Sequence, residues 1–307
     1  MDSAPLLSAE RVKAAAQTAG FDACGIAAAA PLHEEEWGFD TWLANGYQAD
    51  MHYMEEHRDM RSDPRILVAG AKSVISLVVG YKPSRLMEGT ARIAQYAYGE
   101  DYHTRLKHML YHLIGLLREH YPDFEARPCV DTAPISDKQW AARAGVGWIG
   151  RNTLLVNPVV GSYCYVGELV TPSPADHYDT PLADGCGNCR ACVDACPNHA
   201  LTQKPGTGIP LLDARRCASY HTIENRAERL PETLHRSGYA FGCDCCQVVC
   251  PVNRTAAVRY TLTDERKSQL ESLANADATT FKRITKHTAL NRIRHAQWLR
   301  NIDDTKE

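Results

Sequence analysis

Apolar positions along the chain fall into segments of two different periods. Residues 8–20 repeat at the helical interval, with Val12, Ala15, Ala16 and Ala19 on one side and Gly20 as a stop. The apolar stretch 23–30 reads as a strand, and two helical pieces flank Asn45-Gly46 and run to YMEEHRDMRSDPR. SVISLVVG, residues 73–80, is β-branched and unbroken, as a strand covered on both faces requires. IAQYAYGEDYH shows no period. From 103 to 120 the apolar residues at 106, 109, 110, 113, 116 and 117 return to helical spacing. Residues 128–131 predict a strand ending in a carboxylate, and a helix is expected near 138–144. The glycine-rich AGVGWIG follows, and strands are predicted at 153–156 and 163–170. Helices alternating with strands over 1–175 predict an α/β domain. Residues 176–258 offer short helices and little core material. The segment 259–307 is expected to be helical, with Leu290, Ile293, Trp298 and Ile302 as its buried stripe.

The middle segment has another source of order. Cys186, Cys189, Cys192 and Cys196 form C-x-x-C-x-x-C-x-x-x-C-P, the ferredoxin run for cubane iron–sulfur clusters. Two-residue gaps let three thiolates reach three irons of one cube, while the fourth cysteine normally ligates a different cluster. The second cluster has its own signature in CDCCQVVCP, where Cys246-x-x-x-Cys250-Pro251 repeats Cys192-x-x-x-Cys196-Pro197. Ala240 stands where a full second run would carry a cysteine, and Cys217 in RRCASY is the replacement upstream. The crossed assignment puts Cys186, Cys189, Cys192 and Cys250 on one [4Fe-4S] cluster and Cys196, Cys217, Cys243 and Cys246 on the other. Cys245 is left over. Structural zinc also uses C-x-x-C pairs, but it needs neither a third cysteine at that interval nor a proline after the fourth. Residues 176–258 therefore read as a ferredoxin-like module whose folding is coupled to ligation.

Composition narrows the setting. The 307 residues are 44% apolar and 23% charged, as in globular proteins, and suffice for one large domain or two ordinary ones. The net charge of −3 supplies no global field for nucleic acid, so any such contact needs a local patch. Arg283, Lys286, Arg292, Arg294 and Arg300 make one candidate; a solvated basic helix face is the plain alternative. Twelve cysteines behind the polar start MDSAPLLSAER, with no signal peptide, twin-arginine motif or membrane-length apolar run, predict a cytoplasmic protein with reduced thiols.

Single-electron clusters do not need 175 further residues, so the front domain is expected to hold what receives the electrons. It carries no Walker loop, and AGVGWIG has the wrong glycine interval for a dinucleotide fingerprint. Asp131, at the end of its strand, is the candidate acid: burial there would raise its pKa and let it donate a proton. Capping of the next turn is the ordinary alternative. Asp101, Tyr102 and His103 form a polar group at a helix start, where Asp101 would serve as the cap.

Taken in order, YMEEHRDMRSDPR, AYGEDYH, CVDTAPISDKQWAARAGVGWIGRNTLLV, CGNCRACVDACP, RCASYHTIE and GCDCCQVVCP resemble the epoxyqueuosine reductase family over nearly the whole chain. The resemblance implies a cobalamin-dependent enzyme akin to corrinoid reductive dehalogenases. Such enzymes reduce epoxyqueuosine to queuosine at the wobble position of tRNA, the last step of queuosine synthesis. It implies Asp131 as proton donor and two [4Fe-4S] clusters feeding cob(II)alamin. It also implies Arg61, Tyr102, His103, Asp131, Leu155, Tyr220, Cys243 and Asp244 around the corrin, with Tyr102 and His103 near the substrate. Residues 1–175 become the cobalamin-binding catalytic domain, 176–258 the electron feed and 259–307 a basic helical end. A flipped-out anticodon base would enter between the first two. A flavodoxin- or ferredoxin-type donor and a monomer are expected.

The chain departs from the family pattern in places. Many members carry Glu or Asp followed by Arg after the acid motif, and here Asp137-Lys138 stands instead, which removes a bidentate guanidinium. Longer members end in helical repeats that help hold tRNA. Contact with tRNA would then rest on Arg283, Lys286, Arg292, Arg294 and the cluster module. A reductive dehalogenase and a plain two-cluster electron carrier are the alternatives; bound cobalamin and turnover of the modified nucleoside separate the three.

Overall fold

The strand predicted at 73–80 forms, and every one of its residues is buried. It lies inside a four-stranded sheet made of β1 (Ala23–Ala28), β2 (Ser73–Gly80), β3 (Arg127–Cys129) and β4 (Cys164–Thr171), in the order β1-β2-β4-β3. The structure, a computed structural model, describes residues 4–33, 37–89 and 91–303; the first three residues of the polar start and the last four of the basic end lie outside these. Every pairing in the sheet is antiparallel. The class is therefore mixed α/β, without the parallel crossovers that alternation of helices and strands often signals.

Helices cover both faces. On one side pack α1 (Ala9–Thr18) and α2 (Tyr102–Arg118), whose stripe of Leu106, Leu110, Leu113 and Leu117 meets Ile75, Leu77 and Leu169. Asp101 caps α2 by accepting from the amide of His103 (3.0 Å), as its place before the helix predicts. On the other side lies α3 (Asp137–Arg143), with Trp140 fully buried against Val74, Val78 and Val170. Gly25 allows β1 to reach α3, since a Cβ there would come within 1.9 Å of the Ala144 carbonyl oxygen.

A third core joins distant parts of the chain. Leu290, Ile293, Trp298 and Ile302 form the predicted stripe, and they pack with Ile93, Tyr98 and Phe241. This core is carried by α4 (Asp264–Ser272), α5 (Ala278–Thr285) and α6 (His295–Asp303). Tyr239–Phe241 pairs in parallel with Arg92–Ile93. The segments 1–175, 176–258 and 259–307 thus do not keep separate cores. The physical reason is the one composition suggested: the cysteine segment has little apolar surface and borrows its walls. Lys82 Nζ, for example, donates to the carbonyls of Asn253 (2.8 Å) and Ala256 (2.9 Å), while Asn253 Oδ1 accepts from the amide of Ser162 (2.7 Å). Among the described residues no helix is long and apolar enough to cross a membrane.

Candidate active site

Where the sheet meets the cysteine segment, the chain encloses a cavity of ≈ 300 Å³. One wall carries Cys196, Cys217, Cys243 and Cys246, the set that the crossed spacing assigns to a single cluster. Tyr96, Lys138 and Leu155 line the cavity as well. The other predicted set lies apart from the cavity. Its Cys192 thiol is pushed up to about 11, by burial first and then by the neighbouring Cys186 and Cys250. Cys246 has Cys217 and Cys196 among its electrostatic neighbours, and burial raises its thiol as well. Cys245 lines the same wall, next to Cys243 and Ser237.

These thiols fit cluster ligation in their surroundings too. Trp148 Nε1 donates to Cys186 Sγ (3.4 Å), and the Ala200 amide donates to Cys196 Sγ (3.3 Å). N–H groups aimed at ligand sulfurs stabilise thiolate charge and tune the cluster they hold. The loop of the second set is fastened to the front of the chain by Asp244. Its buried carboxylate accepts from the Gln95 amide (2.8 Å) and from Gln247 Nε2 (2.9 Å), while burial raises it to about 6.

Next to the cavity stands a hydrogen-bonded group built on α2. Tyr102 Oη donates to Asp131 Oδ2 (3.0 Å), and His103 Nε2 donates to the same oxygen (2.9 Å). His103 Nδ1 donates to Asp101 Oδ1 (2.7 Å). With a carboxylate on each ring nitrogen, both nitrogens act as donors and the imidazole is held as its cation. Burial works against that charge, but the bonds to Asp131 and Asp101 overcome it and raise the His103 pKa. Tyr102 stacks on Tyr165 with 4.9 Å between ring centres, and Tyr96 meets Tyr102 edge-on, which joins this group to the cavity wall.

The structure corrects one expectation about Asp131. Burial was to raise its pKa; burial does act in that direction, but the His103 hydrogen bond and charge, with Tyr102, hold the carboxyl below its ordinary value. Its side chain is 58% exposed, so desolvation is incomplete and the ion pair decides. Asp131 lies two residues beyond β3 in a turn, with φ +43°, a left-handed conformation that aspartate tolerates better than most residues.

The residues expected around a corrin do not all gather in one place. Leu155, Cys243 and Asp244 line the cavity, whereas Tyr102, His103 and Asp131 form the adjoining group. Tyr220 stands away from the cavity wall and donates to Asp50 Oδ2 (2.7 Å). Arg61 lies in a surface recess with Tyr53, Arg127 and Thr132. Lys138 and Tyr96 line the cavity without belonging to a cofactor motif, although both lie in segments that the sequence marks as unusual. Of the basic set, Arg283, Lys286, Arg292 and Arg294 are exposed. Arg292 forms a two-point ion pair with Glu224 (3.0 and 2.8 Å), and its charge reaches Asp131. Arg300 instead spends its guanidinium on the carbonyls of His221 (3.0 Å) and Asn225 (3.0 Å), tying α6 down.

Comparison with known proteins accounts for this arrangement. Residues 61–132 match the family described as epoxyqueuosine reductase QueG, DUF1730, and residues 185–253 match the 4Fe-4S double cluster binding domain. An epoxyqueuosine reductase of Cellulophaga algicola is 40% identical over 303 residues, covering 96% of this chain and 97% of its own. The structure of epoxyqueuosine reductase from Streptococcus thermophilus superposes with a TM-score of 0.84 at 26% identity, covering 95% of this chain and 79% of that one. A crystal structure of an epoxyqueuosine reductase with a tRNA-Tyr epoxyqueuosine-modified stem loop superposes with a TM-score of 0.80 at 28% identity, with the same coverages. With the Cys196, Cys217, Cys243 and Cys246 set on a cavity next to an acid group, and with this likeness along its length, the chain belongs to the epoxyqueuosine reductase family.

Proposed function

We propose that the protein reduces epoxyqueuosine to queuosine in the anticodon of tRNA, with cobalamin as the reacting cofactor and Asp131 as the acid. The carrying observation is the cavity itself, which is lined by Cys196, Cys217, Cys243 and Cys246 and adjoins the Asp131 group through Tyr96 and Tyr102. Its lining suits a corrin: Leu155, Val166 and Tyr96 offer apolar surface, while Asn152, Thr153 and Ser219 offer partners for amide side arms. Cobalamin is larger than the enclosed volume and would also occupy the mouth. When bound, the corrinoid supplies a strongly nucleophilic low-valent cobalt, and the clusters supply electrons singly. The chain's own part is to hold, orient and protonate. Asp131 faces the epoxide oxygen, and His103, charged between two carboxylates, passes its proton by way of Asp131 to that oxygen. Tyr102 fixes the shared oxygen.

Arg283, Lys286, Arg292 and Arg294 supply phosphate contacts around the mouth, Arg292 being the one whose charge reaches the acid. A flavodoxin- or ferredoxin-type donor, a cytoplasmic setting and a monomer complete the reading. The test is reduction of epoxyqueuosine in an anticodon stem-loop by anaerobically prepared, cobalamin-loaded protein, with a haloaromatic in parallel. Conversion of the nucleoside only, lost in Asp131→Asn with clusters and corrinoid retained, is expected. Dehalogenation without nucleoside turnover would move the protein to the dehalogenases.

A further inference from the structure

The sheet carries a carboxylate that the acid group does not use. Glu168 sits in the middle of β4 with no exposed surface, level with Ser76 on β2 and Cys129 on β3. It faces Asp137, at the first turn of α3, on the side of the sheet where Trp140 is buried. Neither oxygen of Glu168 receives a hydrogen bond from a donor among the described residues, and Oδ1 of Asp137 is equally sealed and unmatched. Ser76 Oγ has no hydrogen-bond partner among the described residues either. Two bare carboxylates cannot face one another in such surroundings, because each charge costs several kcal/mol to desolvate and repels the other. One proton held between them answers both costs, as in carboxylate dyads.

The reaction has a use for that proton. Turning an epoxide into an alkene breaks both C–O bonds, forms one C=C bond and releases the oxygen as water. It consumes two electrons, which the flavodoxin- or ferredoxin-type donor of the proposed function supplies through the clusters, and two protons. The Asp101–His103–Asp131 group contains only one removable proton, the one that makes His103 a cation. Asp131 is open on its solvent side, and a bound nucleoside covers that side, so the second proton must arrive from within.

We propose that Asp137 and Glu168 share a single stored proton and deliver it, by way of Asp131, to the oxygen leaving the substrate. This rests on Asp131 being the acid. Only the turn Thr132–Ser136 separates Asp131 from Asp137 in the chain, and the Asp131 charge acts on Asp137 more strongly than any other. Burial first, and then Asp131, push Asp137 up to about 7; burial and Asp137 raise Glu168 further. The remaining groups facing the pair are Lys138 and Arg61, toward Asp137, and the Cys129 thiol, itself near Arg127. When the proton leaves, an O–H bond to Asp131 forms, the pair carries one more negative charge, and Lys138 and Arg61 offset it. After product release the pair refills from solvent. Asp137 and Glu168 are positioning residues here, since they touch the substrate only through Asp131.

The test uses the holoenzyme with Glu168→Gln, Asp137→Asn and the conservative Glu168→Asp. At neutral pH, infrared spectra of the wild type are expected to show a protonated buried carboxyl that is absent from Glu168→Gln and Asp137→Asn and present in Glu168→Asp. Turnover of the stem-loop is expected to fall at least tenfold in the first two, with the loss steepening as pH rises, and to recover partly in Glu168→Asp. Wild-type rates at every pH in Glu168→Gln, or no protonated carboxyl in the wild type, would overturn the inference while leaving Asp131 in place. An inactive cobalamin-loaded wild type would overturn the functional reading, and the delivery step with it, whatever the infrared spectrum shows.

Discussion

Replacing Asp101 by Asn isolates one side of the charge that readies His103. Asparagine is as good a helix cap as aspartate, so α2 should keep its start and the change is electrostatic. His103 Nδ1 lies 2.7 Å from Asp101 Oδ1, with the two side chains 27% and 33% exposed. A hydrogen bond to a charged partner contributes about 1.5–3 kcal/mol and a neutral one about 1 kcal/mol. The loss is thus about 0.5–2 kcal/mol, and partial exposure places it in the lower half of that range. The imidazole should then hold its proton about two- to fivefold less tightly and titrate at lower pH. The sign follows from the raised value in the folded protein. The imidazolium is complete at low pH and is lost as pH rises through the folded pKa, so Asp101→Asn must lose it at lower pH. Imidazole titration of His103 by NMR and the pH dependence of single-turnover reduction measure the same shift independently. An unmoved midpoint, or one moved upward, would refute the claim that His103 is held charged between two carboxylates.

Other outcomes follow from the same geometry. Cys217→Ala should lose the iron of the cluster beside the cavity, about half the total, while Cys245→Ser keeps it all; iron quantitation and electron paramagnetic resonance decide. Gly161→Ala should destabilise by about 3 kcal/mol, because φ is +65° and the new Cβ would meet Asn253 Oδ1 at 2.0 Å, breaking its bond to Ser162. Gly206→Ala, with φ +75° and open space around it, should cost only about 1–2 kcal/mol by thermal unfolding. Neutralising Arg283 and Lys286 together should lower the slope of log affinity for the stem-loop against log salt by roughly 1.4, at about 0.7 per phosphate contact. An unchanged slope removes that surface from the tRNA interface.

The sequence made legible what depends on local period and on spacing. Ser73–Gly80, α2 and the stripe ending in Ile302 follow from apolar repeats, and the two cysteine sets from intervals a cluster requires. What depends on register was hidden. That Glu168 faces Asp137 is decided by how β4 lies against β2 and under α3, and a strand slipped by one residue would turn the carboxylate to the other face. The sign available was a single acid inside the apolar run YVGELV. Asp131 shows the same limit from the electrostatic side. Its place near a strand end was readable, but its charge state is set by Tyr102 and His103 on another helix, which no local pattern contains. The core shared by the three segments was hidden for a third reason. A segment whose order comes from ligation has little core of its own and completes its walls with Lys82, Ser162 and Gln95 from the front of the chain.

That interlocking has a chemical consequence. In the function and proton delivery proposed above, electrons reach the cavity from the cluster cysteines and protons from the sheet and α2, so the two supplies meet only at the substrate. A strongly reducing centre in free contact with a charged imidazole would spend electrons on protons. Tyr96 stands on the cavity wall and Tyr102 behind it, and Tyr165 Oη donates to the Tyr96 carbonyl (2.6 Å), which fixes this aromatic layer in place. Opening the layer with Tyr96→Ala should therefore leave the iron content and the His103 titration unchanged, yet raise the electrons consumed per nucleoside reduced above the two that the chemistry needs. A stoichiometry still at two would mean that the separation is maintained elsewhere.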